Sequence, residues 1–208
     1  MIPFDLLLLF FTASVLLALA PGPDNLFVMA QAAQRGSGAG LLVTLGLCTG
    51  LLLHTSAVAF GLAALFQASV LAFSLLKFAG AGYLLYLAWQ AFRAGGEQEG
   101  DTGSDTLQRG RLYRRGILMN ITNPKVSVFF LAFLPQFADP ARGSLAVQLL
   151  LLGGVFIIAA IVVFGSISLL AGVLGERFRQ SARAQKILNR LAGSIFAALA
   201  LKLATTER

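Results

Sequence analysis

Apolar residues run along this chain in long blocks rather than alternating with polar ones. The blocks span about Phe4 to Arg35, Ala39 to Phe66, Ala68 to Phe92, Gly116 to Phe137, Leu145 to Leu174 and Leu191 to Ala204. A run of about 20 apolar residues has the length of a helix crossing a hydrocarbon core. A chain in lipid must satisfy every backbone polar group internally, which favours helices for such runs. The pattern therefore predicts an all-α membrane protein with six transmembrane helices. The last block is the shortest, and a five-span plan with that block lying on the surface is the alternative. Between blocks three and four, Gly95 to Gly110 is polar without an apolar period and predicts a mobile loop. Between blocks five and six, the basic stretch Glu176 to Arg190 predicts a surface helix.

Two blocks are interrupted. Block one contains Pro21-Gly22-Pro23, and block four contains Asn123-Pro124-Lys125. Proline removes a backbone donor and clashes with the preceding turn, so both blocks are expected to form broken helices. The first block also imitates a secretory signal, but no Lys or Arg precedes it. Pro21 directly follows the cleavage-like Ala18-Leu19-Ala20, so a retained helix is expected.

Composition agrees with the block pattern. Of the 208 residues, 57% are hydrophobic and 12% charged, with mean hydropathy +0.81. Soluble domains carry about a quarter charged residues. One transmembrane domain over 1–208 is expected, with a first repeat at 1–93, a loop at 94–115 and a second repeat at 116–205. Cys48 is the only cysteine, which excludes a disulfide framework or a cysteine metal cluster.

The net charge of +7 invites a nucleic-acid reading until the charges are placed. Eleven of the 16 Lys and Arg residues follow blocks one, three and five: Arg35; Arg93, Arg109, Arg111, Arg114 and Arg115; Arg177, Arg179, Arg183, Lys186 and Arg190. The opposite side holds Arg142 and Arg208. This asymmetry fits the positive-inside rule, with both termini outside, and leaves no reason to invoke nucleic acid. Each half has the order Pro-broken block, Gly-rich block, apolar block. Three spans per half is odd, so the second copy enters inverted, as in many secondary transporters.

The breaks also carry the candidate chemistry. Asp24 and Asn25 follow the first, and Asn120 and Asn123 stand with Pro124 and Lys125 at the second. Lys125 lies roughly 15 Å from the basic loop by helical rise, near mid-membrane. An ionisable group there is costly and marks a functional site. A loop at the cytoplasmic surface is the bland alternative for Asp24, and snorkelling to the interface the bland alternative for Lys125. A carboxylate, an ammonium, carboxamides and free helix ends together suit a zwitterionic amino acid. Asp24 would take its amine or a coupled proton, and Lys125 with nearby amides its carboxylate. His54 and Lys77 are candidate pathway residues. His54 fits equally a satisfied bundle histidine, and Lys77 a paired or snorkelling lysine. Gly46-Leu47-Cys48-Thr49-Gly50 is a small-xxx-small pattern for close helix packing. No phosphate-binding loop, HExxH or GxSxG motif occurs, and no cofactor is expected.

At these residues the chain resembles a known family. Pro21-Gly22-Pro23-Asp24-Asn25, the Gly-rich run Gly36 to Gly50, Leu76 to Leu84, and Gly116 to Phe137 with Asn123-Pro124-Lys125 and Phe133-Leu134-Pro135-Gln136-Phe137 carry the likeness. It is similar to the LysE/RhtB family of lysine, homoserine and threonine exporters, also called LysE-type translocators. The resemblance implies a multi-pass bacterial inner-membrane exporter of amino acids or their derivatives, driven by proton antiport. It carries Asp24 and Lys125 over as functional positions and Pro21, Pro23 and Pro124 as helix breakers. A homo-oligomer is compatible with this plan. The competing classes are a polytopic membrane enzyme using Asp24 and Lys125 for acid–base chemistry, and a non-transporting scaffold.

Overall fold

A computed structural model describes residues 2–20, 22–62 and 109–179, with scattered residues between 75 and 93 and between 190 and 204. Pro21, Lys77, the expected loop over 95–108, and most of blocks three and six lie outside the described residues.

Helix α1, Phe4–Leu19, starts after Pro3 with Asp5 in its first turn, where a carboxylate favours the positive helix end. It stops where Pro21 and Pro23 supply no amide to continue the ladder. Helix α2, Pro23–Arg35, opens with proline at its first position, where the missing N–H is harmless. It ends at Gly36, whose φ of +86° is left-handed backbone that glycine adopts without strain. Helix α3, Ser37–Ala57, runs on through a π-helical turn at Val58–Leu62. Helix α4, Arg109–Thr122, is broken at Asn123 and followed by α5, Pro124–Val128. The chain then continues through a π turn at Phe129–Phe133 and a 3-10 turn at Leu134–Phe137. A second 3-10 turn, Pro140–Arg142, leads into α6, Leu145–Arg179.

The described residues contain only helices and their connections, without strands. Two helical stretches, Ser37–Gly61 and Leu145–Gly172, are long and apolar enough to cross a membrane. Counting each bent pair as one span makes four: α1 with α2, bent by 63°, and α4 with Pro124–Phe137, bent by 51°. Both expected breaks are thus real bends.

Two boundaries differ from the sequence expectation. Helix α4 already includes Arg109, so Arg109, Arg111, Arg114 and Arg115 ride on the helix instead of in a loop. Helix α6 continues past Leu174 to Arg179 with no separate surface helix beginning at Glu176. Nothing in Gly175-Glu176-Arg177-Phe178-Arg179 breaks a helix firmly enough to stop it. At 35 residues, α6 is about 52 Å long, well beyond the hydrocarbon thickness.

Helix α3 is the spine. It packs along α4 on one side and α6 on another, while α1 and α2 close against α6. The close approaches use glycine. A Cβ at Gly46 would fall on the Tyr113 carbonyl, and one at Gly116 would meet the Val43 carbonyl at 2.5 Å. Gly153 of α6 leaves room for Thr55, and Gly40 of α3 for Ser168. Tyr113 Oη and Thr49 Oγ1, 2.8 Å apart, share a hydrogen bond across the α3–α4 seam. The interior beside α5 is aromatic. Phe129 lies 5.9 Å from Phe10, 4.8 Å from Phe133 and 5.1 Å from Phe156 between ring centroids. Leucines, isoleucines and valines such as Leu45, Leu52, Leu151, Ile158 and Val162 face outward, as a bilayer-facing surface requires.

Candidate functional site: two facing helix breaks

The two breaks meet inside the bundle. A proline leaves the carbonyl four residues earlier without its helical partner. At the first break that carbonyl belongs to Leu17, four residues before Pro21. Lys125 Nζ donates to it at 3.3 Å and to the Ala20 carbonyl at 3.0 Å. Asn25 Nδ2 donates to the Ala18 carbonyl at 2.6 Å. The exposed end of α1 is therefore held by one side chain from α2 and one from α5. At the second break, Asn123 caps α5 by accepting from the Lys125 amide at 3.0 Å.

Lys125 is 6% exposed and Asp24 1%, with Asn120 at 1% and Asn123 at 2%. Two ionisable groups at such burial are expensive apart and tolerable together. Asp24 feels the Lys125 ammonium and the His54 ring electrostatically, and the Asn120 and Asn123 side chains turn toward it. Well-formed hydrogen bonds are nevertheless lacking at Asp24 Oδ1, Asn25 Oδ1, Asn120 Oδ1 and Asn123 Nδ2, all fully buried atoms. A small cavity opens beside Asp24, Asn120 and Lys125, walled further by Leu17, Leu51, Val126, Phe156 and Phe164. It has room for about one water molecule.

The geometry sorts the sequence candidates. Asp24, Asn25, Asn120, Asn123 and Lys125 converge, together with Gly22, whose added Cβ would lie 3.2 Å from Lys125 Nζ. Pro23 and Pro124 head the second half of each break. His54 reaches the edge of this group, with Nε2 3.2 Å from the Asn120 carbonyl oxygen and its ring 5.6 Å from Phe130. Lys77 and Pro21 lie outside the described residues. Among the described residues no cluster of His, Cys, Asp and Glu could hold a metal ion.

The LysE type translocator profile matches residues 15–207, both breaks included. The chain belongs to the LysE type translocator family. Among similar proteins, the homoserine/homoserine lactone efflux protein of Salmonella typhimurium is 38% identical over 93% of each chain. An uncharacterized membrane protein of Vibrio cholerae is 37% identical over 96% of this chain and 97% of its own. The leucine efflux protein of Salmonella choleraesuis is 26% identical over 95% of this chain and 94% of its own. No solved structure matches the chain.

For this LysE-family chain, sequence reasoning missed the apolar walls and one glycine. Leu17, Phe156 and Phe164 sit in unremarkable apolar runs, where nothing marks which face looks inward. Gly50 was visible only as half of a packing pattern. Its added Cβ would lie 2.7 Å from both Cβ and Oδ1 of Asn120. The spacing of Gly46, Gly50 and His54 by four residues each was the signal that could have found it, since such positions share one helix face.

Proposed function

We propose that this chain exports an amino acid or amino-acid derivative from the cytoplasm, with homoserine the first substrate to test, through the pocket between the two helix breaks. One observation carries this reading. Of the buried atoms at the breaks without well-formed hydrogen bonds, three are acceptors: Asp24 Oδ1, Asn25 Oδ1 and Asn120 Oδ1. A primary ammonium brings three N–H donors and a positive charge, which matches that set. The remaining donor, Asn123 Nδ2, and the N–H of Lys125 not committed to Leu17 and Ala20 suit a carboxylate.

Membership in the translocator family and likeness to efflux proteins for homoserine and leucine support the direction and the substrate class. The coupling is proton antiport, with Asp24 exchanging the substrate amine for a proton during the transport cycle. The architecture is six spans in two inverted repeats, 1–93 and 116–205, joined by a cytoplasmic connection over 94–115. The protein resides in the bacterial inner membrane with both termini periplasmic. The placement of Lys and Arg supports that orientation.

The test is uptake of labelled homoserine into proteoliposomes against a proton gradient, with leucine as a parallel substrate. Accumulation of either amino acid above its equilibrium level, collapsing with a protonophore, is the expected outcome. Asp24→Asn is expected to lose at least about tenfold in rate, the scale of one lost charge-assisted contact. Full transport by that variant would sink the assignment of Asp24.

A further inference from the structure

Pro124 removes a donor from the middle of a span. In an unbroken helix the amide of residue 124 would bond the Asn120 carbonyl, and proline has no amide hydrogen. That carbonyl belongs to a residue only 1% exposed. It accepts from the Asn123 amide at 3.1 Å and lies 3.2 Å from His54 Nε2. A carbonyl only accepts, so Nε2 carries the hydrogen. His54 comes from α3, a different helix, and its half-buried ring rests against Phe130. One turn before it, Gly50 leaves the space that the Asn120 side chain occupies. A turn before that, Gly46 lies against Gly116. Positions 46, 50 and 54 thus meet 116, the side chain of 120 and the carbonyl of 120 in step.

We propose that His54 is a positioning residue of the translocation pocket: its Nε2–H replaces the amide that Pro124 lacks and, with Gly50, fixes where the Asn120 carboxamide is presented to Asp24. The proposal rests on the pocket being the transport site. Its core, the replacement of one donor by another, is testable without transport. Among the described residues, the charged group that interacts with this ring is Asp24 of α2, which in turn faces Lys125 of α5. A proton carrier at this position is the rival role, and the two roles part company when the ring is exchanged for a neutral donor.

Two measurements decide. The first is a double-mutant cycle on melting temperature in detergent, which needs no substrate. His54→Leu is expected to lower Tm clearly in the Pro124 protein. In a Pro124→Ala background, where residue 124 supplies its own amide, the drop is expected to shrink to less than half. Equal drops in the two backgrounds would overturn the proposal. The second is homoserine transport by His54→Gln and His54→Leu. His54→Gln keeps an N–H donor and is expected to retain most of the rate and the wild-type pH profile. His54→Leu is expected to lose roughly tenfold, as is Gly50→Ala, which displaces Asn120. A His54→Gln protein that transports without proton coupling would assign His54 to proton carriage instead. Should the wild-type protein transport neither amino acid, the functional reading fails while the thermal cycle still reports on His54.

Discussion

At the scale of single residues, the pocket depends on Lys125 more than on any other side chain. It carries the positive charge opposite Asp24 and also ties down the end of α1 through the Leu17 and Ala20 carbonyls. Replacing it with methionine would leave a buried carboxylate unpaired, a loss of about 3–5 kcal/mol. Lys125→Met is therefore expected to express poorly and melt well below wild type. Adding Asp24→Asn should recover part of that stability, because the orphaned charge goes with it. A double variant melting lower than Lys125→Met alone would show that the two groups do not compensate each other. These residues were readable in the sequence because the bilayer makes every buried charge conspicuous. Their partners were not readable, since nothing in a sequence announces that a lysine amine sits on backbone carbonyls 105 and 108 positions earlier.

At the scale of elements, the seam between α3 and α4 is held together by contact distance. Gly116→Ala places a methyl group against the Val43 carbonyl, a backbone atom that cannot step aside. It is expected to lower Tm by several degrees and to reduce the yield of folded protein. Gly154→Ala in α6 is the internal control, since its added methyl meets nothing within 4 Å. There the gain in helix propensity, about 0.5–1 kcal/mol, should hold Tm steady or raise it. Comparable losses in both variants would mean that helix packing at Gly116 is not close. The breaks in blocks one and four were legible because proline has an unambiguous backbone effect. The helical course of α4 before Gly116 and of α6 past Leu174 was not, because arginine is a good helix former and a charge pattern marks membrane depth without marking helix. Arg111 and Arg177 show this: the charge pattern puts both beyond the spans, and both lie within helices, α4 and α6.

At the scale of the molecule, orientation is the property that sequence charge addresses most directly. The single cysteine, Cys48, is buried and can be replaced by serine or alanine to give a silent background for labelling. In that background a cysteine at Gly38, an exposed position with open space around it, should react with impermeant reagents only from the cytoplasmic side. A cysteine at exposed Ser144, next to the Asp139–Arg142 ion pair of 3.0 Å, should react only from the periplasmic side. Labelling of both from one side would reject the proposed topology. The narrowness of the pocket has a consequence of another kind. A membrane that stores energy as a proton gradient is drained by any protein that conducts while idle. On the proposed proton-coupled reading, packing of the two breaks by phenylalanine and leucine, with space for about one water, would let the cell keep such an exporter at hand without short-circuiting its own power supply.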